Sequence, residues 1–185
     1  MENSTTINPA PLGLIGFGMT TVLLNIHNAG ITSLDTTVMG MGIFVGGIAQ
    51  VIAGILEAGK GNSFGLTAFT SYGFFWMSLV AIWVMPKLGL GESPSKESMG
   101  YYLLFWGIYT LGMAIATLKK NIISRVVFFS LTALFFLLAI GDFTGNKAIT
   151  VFAGFVGLFT GMAAIYDAMG QIINESFGRE VLPLG

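Results

Sequence analysis

The chain has 185 residues, of which 54% are hydrophobic and only 9% charged, and its mean hydropathy is +0.81. A water-soluble domain carries about a quarter charged residues, so a chain this apolar cannot cover an aqueous surface, and disorder is excluded on the same ground. The absence of cysteine removes disulfide scaffolds and thiolate chemistry, and 8 basic against 9 acidic residues leave a net charge of −1, too little to hold nucleic acid.

The few charges divide the chain into six spans. Asn8-Pro9 opens the first predicted helix, 9–28, with Asn8 as N-cap and Pro9 at the first helical position, where a missing N–H costs nothing. The stretch MENSTTI ahead of it lacks a basic region, so no cleavable leader is expected. The second predicted helix, 36–58, contains GIFVGGIAQVIAGIL, and the third, 63–86, closes at Pro86. The polar loop GLGESPSKES (89–98) leads to the fourth, 99–119. The fifth, 123–141, has the shortest charge-free run, and the long stem of Arg125 extends it to the interface. Thr144-Gly145-Asn146 turns into the sixth, 147–172.

Each span approaches the ~20 residues needed to cross ~30 Å of hydrocarbon. None shows the period-two alternation of a barrel strand, and lipid tolerates only helices or closed barrels. The expected fold is an all-α membrane protein, a six-transmembrane-helix bundle in which residues 1–185 form a single integral membrane domain. Lys60, Lys119, Lys120, Arg125 and Arg179 fall on one side and Lys87, Lys96 and Lys147 on the other. The positive-inside rule therefore places both termini in the cytoplasm.

Gly42 and Gly46, and Gly157 and Gly161, have the i, i+4 spacing that lets membrane helices approach closely. Phe17, Thr21, Asn25 and Asn28 share one face of the first helix, and polar groups facing lipid are costly, so this face points inward. Gln50 on the second helix, and Thr67, Ser71 and Ser78 near one face of the third, join them as candidates for a thin, weakly polar path through the bundle. Interhelical hydrogen bonding explains the same residues equally well. Asp167 in the sixth helix and Glu57 at the end of the second are the candidate proton carriers, since an intramembrane ionisable group suggests a relay. His27 ends the first helix and could sense pH near neutrality, although interfacial solvation is the plainer account. One histidine, no cysteine and no clustered carboxylates at mid-depth argue against an enzyme, a resident metal or a cofactor. The fragment GLIGFG (13–18) lacks the preceding strand that a dinucleotide fingerprint needs.

The segment Asn8, Pro9, Ala10, Pro11, Leu12, Gly13 and Leu14 resembles the N-P-A-[PS]-L-G-L signature of the acetate uptake transporter family, which includes the succinate–acetate permeases. GKGNSFG (59–65), TAFTSYGFFWMS (67–78) and NESFGREVLPLG (174–185) look like the same family, so the resemblance covers essentially the whole chain. It implies a multi-pass protein of the inner or plasma membrane. It also implies a path through each protomer of a homohexamer and transport of acetate, succinate or other short carboxylates, often with protons. It assigns an apolar constriction to Phe17, Tyr72 and Leu131, with Ala164 on the same path. The physics agrees, because an unpartnered anion in a low dielectric is heavily penalised while a neutral acid is not. Two rivals stay open: a facilitator for a small neutral solute such as urea or ammonia, and a membrane scaffold that transports nothing.

Overall fold

The computed structural model describes residues 7–185, so the reading of the stretch ahead of Ile7 as no leader lies outside the described residues. Among the described residues six helices are long and apolar enough to cross a membrane: α1 (Ala10–Asn28), α2 (Thr36–Gly59), α3 (Ser63–Val84), α4 (Lys96–Lys119), α5 (Ile122–Thr144) and α6 (Lys147–Phe177). No strand occurs among the described residues.

The ends of these helices follow from side chains that satisfy orphan backbone groups. Asp35, Asn62, Ser95, Asn121 and Asn146 each accept a hydrogen bond from an N–H of the first turn of α2 to α6. The Ser95 cap starts α4 three residues earlier than the hydropathy predicts, at Lys96. α3 ends at Val84, because Pro86 opens a tight turn that Gly89 closes at φ +74°. α6 runs to Phe177, five residues past the predicted end, and stops at Gly178 with φ +61°. At α1 the predicted cap is displaced by one position. Pro9 occupies the N-cap and the helix begins at Ala10, whose N–H donates to Asn8 Oδ1 at 3.3 Å.

The bundle is apolar on its outer surface as well as in its core. Phe44, Phe105, Phe152, Phe155 and Phe159 lie on the outer surface, as lipid solvent permits. Small residues allow the inner contacts. Gly18 of α1 and Gly161 of α6 meet backbone to backbone: a Cβ on either would approach the other's carbonyl oxygen to 2.9 or 2.8 Å. Gly157 leaves the space that the Asn25 carboxamide occupies, and Gly42 and Gly46 admit Val80 and Trp76 of α3. The glycine pairs therefore pack helices within the chain. α2 carries a π-helical turn over Phe44–Ala49, a distortion often found beside functional sites. Val45 of that turn brings its carbonyl against Gly16 of α1, and Gln50 follows immediately.

Candidate functional site

A cavity of about 370 Å³ opens between α1, α2, α3, α5 and α6. Its lining residues repeat at helical spacing, so each helix contributes one face: Ala10, Leu14 and Phe17; Gly65, Ala68 and Tyr72; Ser124, Val127, Phe128 and Leu131; Asp167 and Gln171. Gln50 completes the wall from α2. Phe17, Tyr72 and Leu131 are the deepest lining residues of their helices, and Phe17 lies about 10 Å along α1 from Ala10 at 1.5 Å per residue. All three are buried. The Phe17 and Tyr72 rings lie 6.1 Å apart, and Tyr72 also packs on Trp106, Tyr109 and Phe128 at 5.6 to 6.2 Å. Tyr72 Oη donates to Thr110 Oγ1 at 2.9 Å, which turns the hydroxyl toward α4 and leaves the ring as the cavity floor.

The mouth is polar. Lys120 lines it with its ammonium 4.3 Å from the centroid of the Phe64 ring, together with Asn62 and Asn121. Asp167, 1% exposed to solvent, accepts from Gln171 Nε2 at 2.9 Å and from Ser124 Oγ at 3.4 Å. Glu57 is fully buried behind the wall: its Oε2 accepts from Asn62 Nδ2 at 2.6 Å, and its Oε1 has no partner. Gln50 Oε1 is likewise buried without a partner.

Below the floor the α1 stripe continues. Thr21 and Asn25 are buried and do not line the cavity. Asn25 Nδ2 donates to the Thr21 carbonyl at 2.9 Å and its Oδ1 accepts from Asn28 Nδ2 at 3.1 Å, while Thr21 Oγ1 has no partner. Ala164 is completely buried on α6. Asn28 reaches a second hollow of about 440 Å³ at the opposite end, which also contains His27 and Lys147. His27 Nδ1 lies 3.0 Å from the Thr32 carbonyl.

Three expected path residues stand elsewhere. Thr67 is exposed, and Ser71 Oγ pairs with Tyr109 Oη of α4 at 2.6 Å and donates to the Thr67 carbonyl at 2.6 Å. Ser78 pairs with Tyr102 of α4 at 2.7 Å in the same way. Successive helix positions differ by about 100°, so the face holding Ser71 is turned away from the one holding Tyr72. The sequence reading passed over Asn62, Lys120, Ser124 and Gln171. The i, i+4 spacing of Asp167 and Gln171 is the sequence signal that could have pointed to Gln171.

Among the motif residues, Ala10 and Leu14 line the cavity, Pro11 is buried and Leu12 is exposed. Gly13 leaves room for the Phe69 ring, and Asn8 Nδ2 donates to Gln171 Oε1 at 3.0 Å.

A six-helix membrane bundle with a polar mouth leading to an apolar floor defines a helical transport protein. The chain belongs to the GPR1/FUN34/yaaH family, whose sequence profile matches residues 1–183. It is 60% identical over 185 residues to the succinate-acetate/proton symporter SatP of Escherichia coli (strain K12), covering 100% of this chain and 98% of that one. A solved structure described as that of the bacterial acetate channel SatP superposes with TM-score 0.96 at 61% identity, covering 97% of this chain and 99% of that one. Ammonia transport outward protein 2 of Saccharomyces cerevisiae is 41% identical over 177 residues, which cover 91% of this chain and 62% of the yeast protein.

Proposed function

We propose that this protein carries acetate, and succinate or other short carboxylates, across the inner or plasma membrane, either with protons or as a channel. The observation that carries this reading is the cavity itself: a cation at the mouth in Lys120, and an uncharged floor of Phe17, Tyr72 and Leu131. Lys120 draws the carboxylate into the vestibule. The floor then passes the species that a low dielectric penalises least, the neutral acid. At a carboxyl pKa of ~4.3, roughly one molecule in several hundred is neutral at pH 7, and the flux is then proton-linked. Gln50 supplies an amide at the wall. Thr21, Asn25 and Ala164 continue the path beyond the floor toward the second hollow. Asp167, facing the cavity, is the proton carrier, with Glu57 behind Asn62 as the alternative. No cofactor enters the scheme.

Both termini lie in the cytoplasm in this reading, as the distribution of lysine and arginine indicates. The protein works as a homohexamer. The exposed stripe Phe152, Phe155, Phe159, Met162, Tyr166 and Met169, at alternating steps of three and four along α6, supports a helix–helix contact between protomers.

The test is radiolabelled acetate uptake into liposomes with and without an imposed pH gradient. Saturable uptake that competes with succinate supports the reading. The yeast relative named for ammonia keeps a neutral solute as the second reading. Flux of ammonium or urea without acetate uptake would establish that reading in its place.

A further inference from the structure

Asp167 stands at the end of a hydrogen-bonded chain whose direction is set by its first member. Lys60 Nζ can only donate, and it donates to Asn8 Oδ1 at 3.3 Å, as does the Ala10 N–H at 3.3 Å. With its oxygen taken, Asn8 offers Nδ2, which donates to Gln171 Oε1 at 3.0 Å. Gln171 in turn has only its NH₂ to offer, and Nε2 donates to Asp167 Oδ1 at 2.9 Å. Every link runs from donor to acceptor toward Asp167. Neither amide can turn over without facing oxygen against oxygen, or donor against donor.

The two oxygens of Asp167 are therefore unlike. Oδ1 is held by a donor that has no other orientation available. Oδ2 faces Ser124 Oγ at 3.4 Å, a long contact to a group that both donates and accepts, and Asp167, Ser124 and Gln171 all line the cavity. The other charged or titratable groups around it are Lys120 and Tyr72 on the cavity wall, Lys60 through the chain, and Glu57 behind Asn62. The Arg125 guanidinium is engaged with the Lys120 carbonyl at 2.9 and 2.7 Å.

We propose that the Lys60–Asn8–Gln171 chain is a positioning device that commits Oδ1 of Asp167 as an acceptor and so makes Oδ2 the oxygen that exchanges a proton with the transported acid. In the forward step the acid O–H bond breaks, an O–H bond forms on Oδ2, and the substrate is left as carboxylate; the reverse step returns the proton. The inference rests on the reading of Asp167 as proton carrier. It gives the motif asparagine a task beyond the helix end, namely to orient Gln171.

The experiment uses the full chain in liposomes, with radiolabelled acetate uptake measured across pH at equal pH inside and out, so that substrate speciation is the same for every variant. Gln171→Leu removes both bonds at similar volume. It moves the pH of half-maximal uptake by about one unit toward alkaline, the tenfold change that about 1.4 kcal/mol represents. Asn8→Ala moves it the same way by less, and Asn8→Ala with Gln171→Leu moves it no further than Gln171→Leu alone, because both act through one amide. Infrared difference spectroscopy supplies a readout that does not need transport: a protonated-carboxyl band that Asp167→Asn abolishes and Gln171→Leu displaces. A Gln171→Leu protein with the wild-type profile and the wild-type band overturns the positioning role. An Asp167→Asn protein that keeps the wild-type pH profile and the band overturns the underlying assignment, and the proposal with it.

Discussion

Leu131→Ala probes the cavity floor most directly. Leu131 is 3% exposed, and the substitution removes three carbon atoms from one of the three floor residues. In a sealed core a Leu→Ala change costs about 2–5 kcal/mol, the larger figures arising where an empty cavity remains. Leu131 already borders a hollow of about 370 Å³ with polar groups at its mouth, so the new space joins a volume that water can enter. The stability loss therefore falls at the low end, about 2 kcal/mol. Selectivity changes more. A methylene fitted or refused by an apolar pocket is worth about 1–3 kcal/mol. Phe17 and Tyr72 keep their walls, with centroids 6.1 Å apart, so the gain again lies at the low end. Uptake of lactate relative to acetate rises about tenfold. Competition of labelled acetate and lactate uptake in liposomes measures the ratio, and thermal unfolding in detergent measures the stability. A ratio unchanged within about twofold of wild type, in a protein that melts lower as expected, refutes the constriction.

The other variants separate the floor from its surroundings. Tyr72→Phe removes the hydroxyl that donates to Thr110 Oγ1 but keeps the ring; a melting shift equivalent to about 1 kcal/mol with unaltered lactate-to-acetate selectivity is expected. Gly157→Ala places a methyl group into the Asn25 carboxamide, and overpacking of this kind costs about 1–3 kcal/mol; acetate uptake should fall with the melting temperature, and normal uptake would show that Asn25 need not hold its place. Asp167→Asn should flatten the pH dependence of uptake while size-exclusion chromatography shows the assembly intact.

The stripe on α1 shows how far a one-dimensional pattern reaches. Phe17, Thr21, Asn25 and Asn28 are separated by four, four and three residues, and the structure lays them along one line from the cavity floor to the second hollow. Periodicity revealed this because a helix makes it a local property. The same reasoning misplaced Thr67 and Ser71. It identified polar residues on α3, but Ser71 is satisfied by Tyr109 of α4 and the Thr67 carbonyl, a pairing that no spacing within α3 records. The π-helical turn before Gln50 was also invisible, since it arises where Gly46 and Gly47 meet neighbouring helices.

What the sequence determined by itself is the solvent and the architecture that solvent imposes. A chain with 9% charged residues and six long apolar runs must bury its backbone hydrogen bonds within helices, because lipid offers no substitute for water. The tertiary structure alone decided which polar groups meet. Asn8 and Gln171 are 163 residues apart, and Lys60 and Asn8 are 52 apart, yet each pair shares a hydrogen bond beside the cavity. Such contacts depend on the rotation and depth at which whole helices dock, which glycine contacts such as Gly18 against Gly161 control.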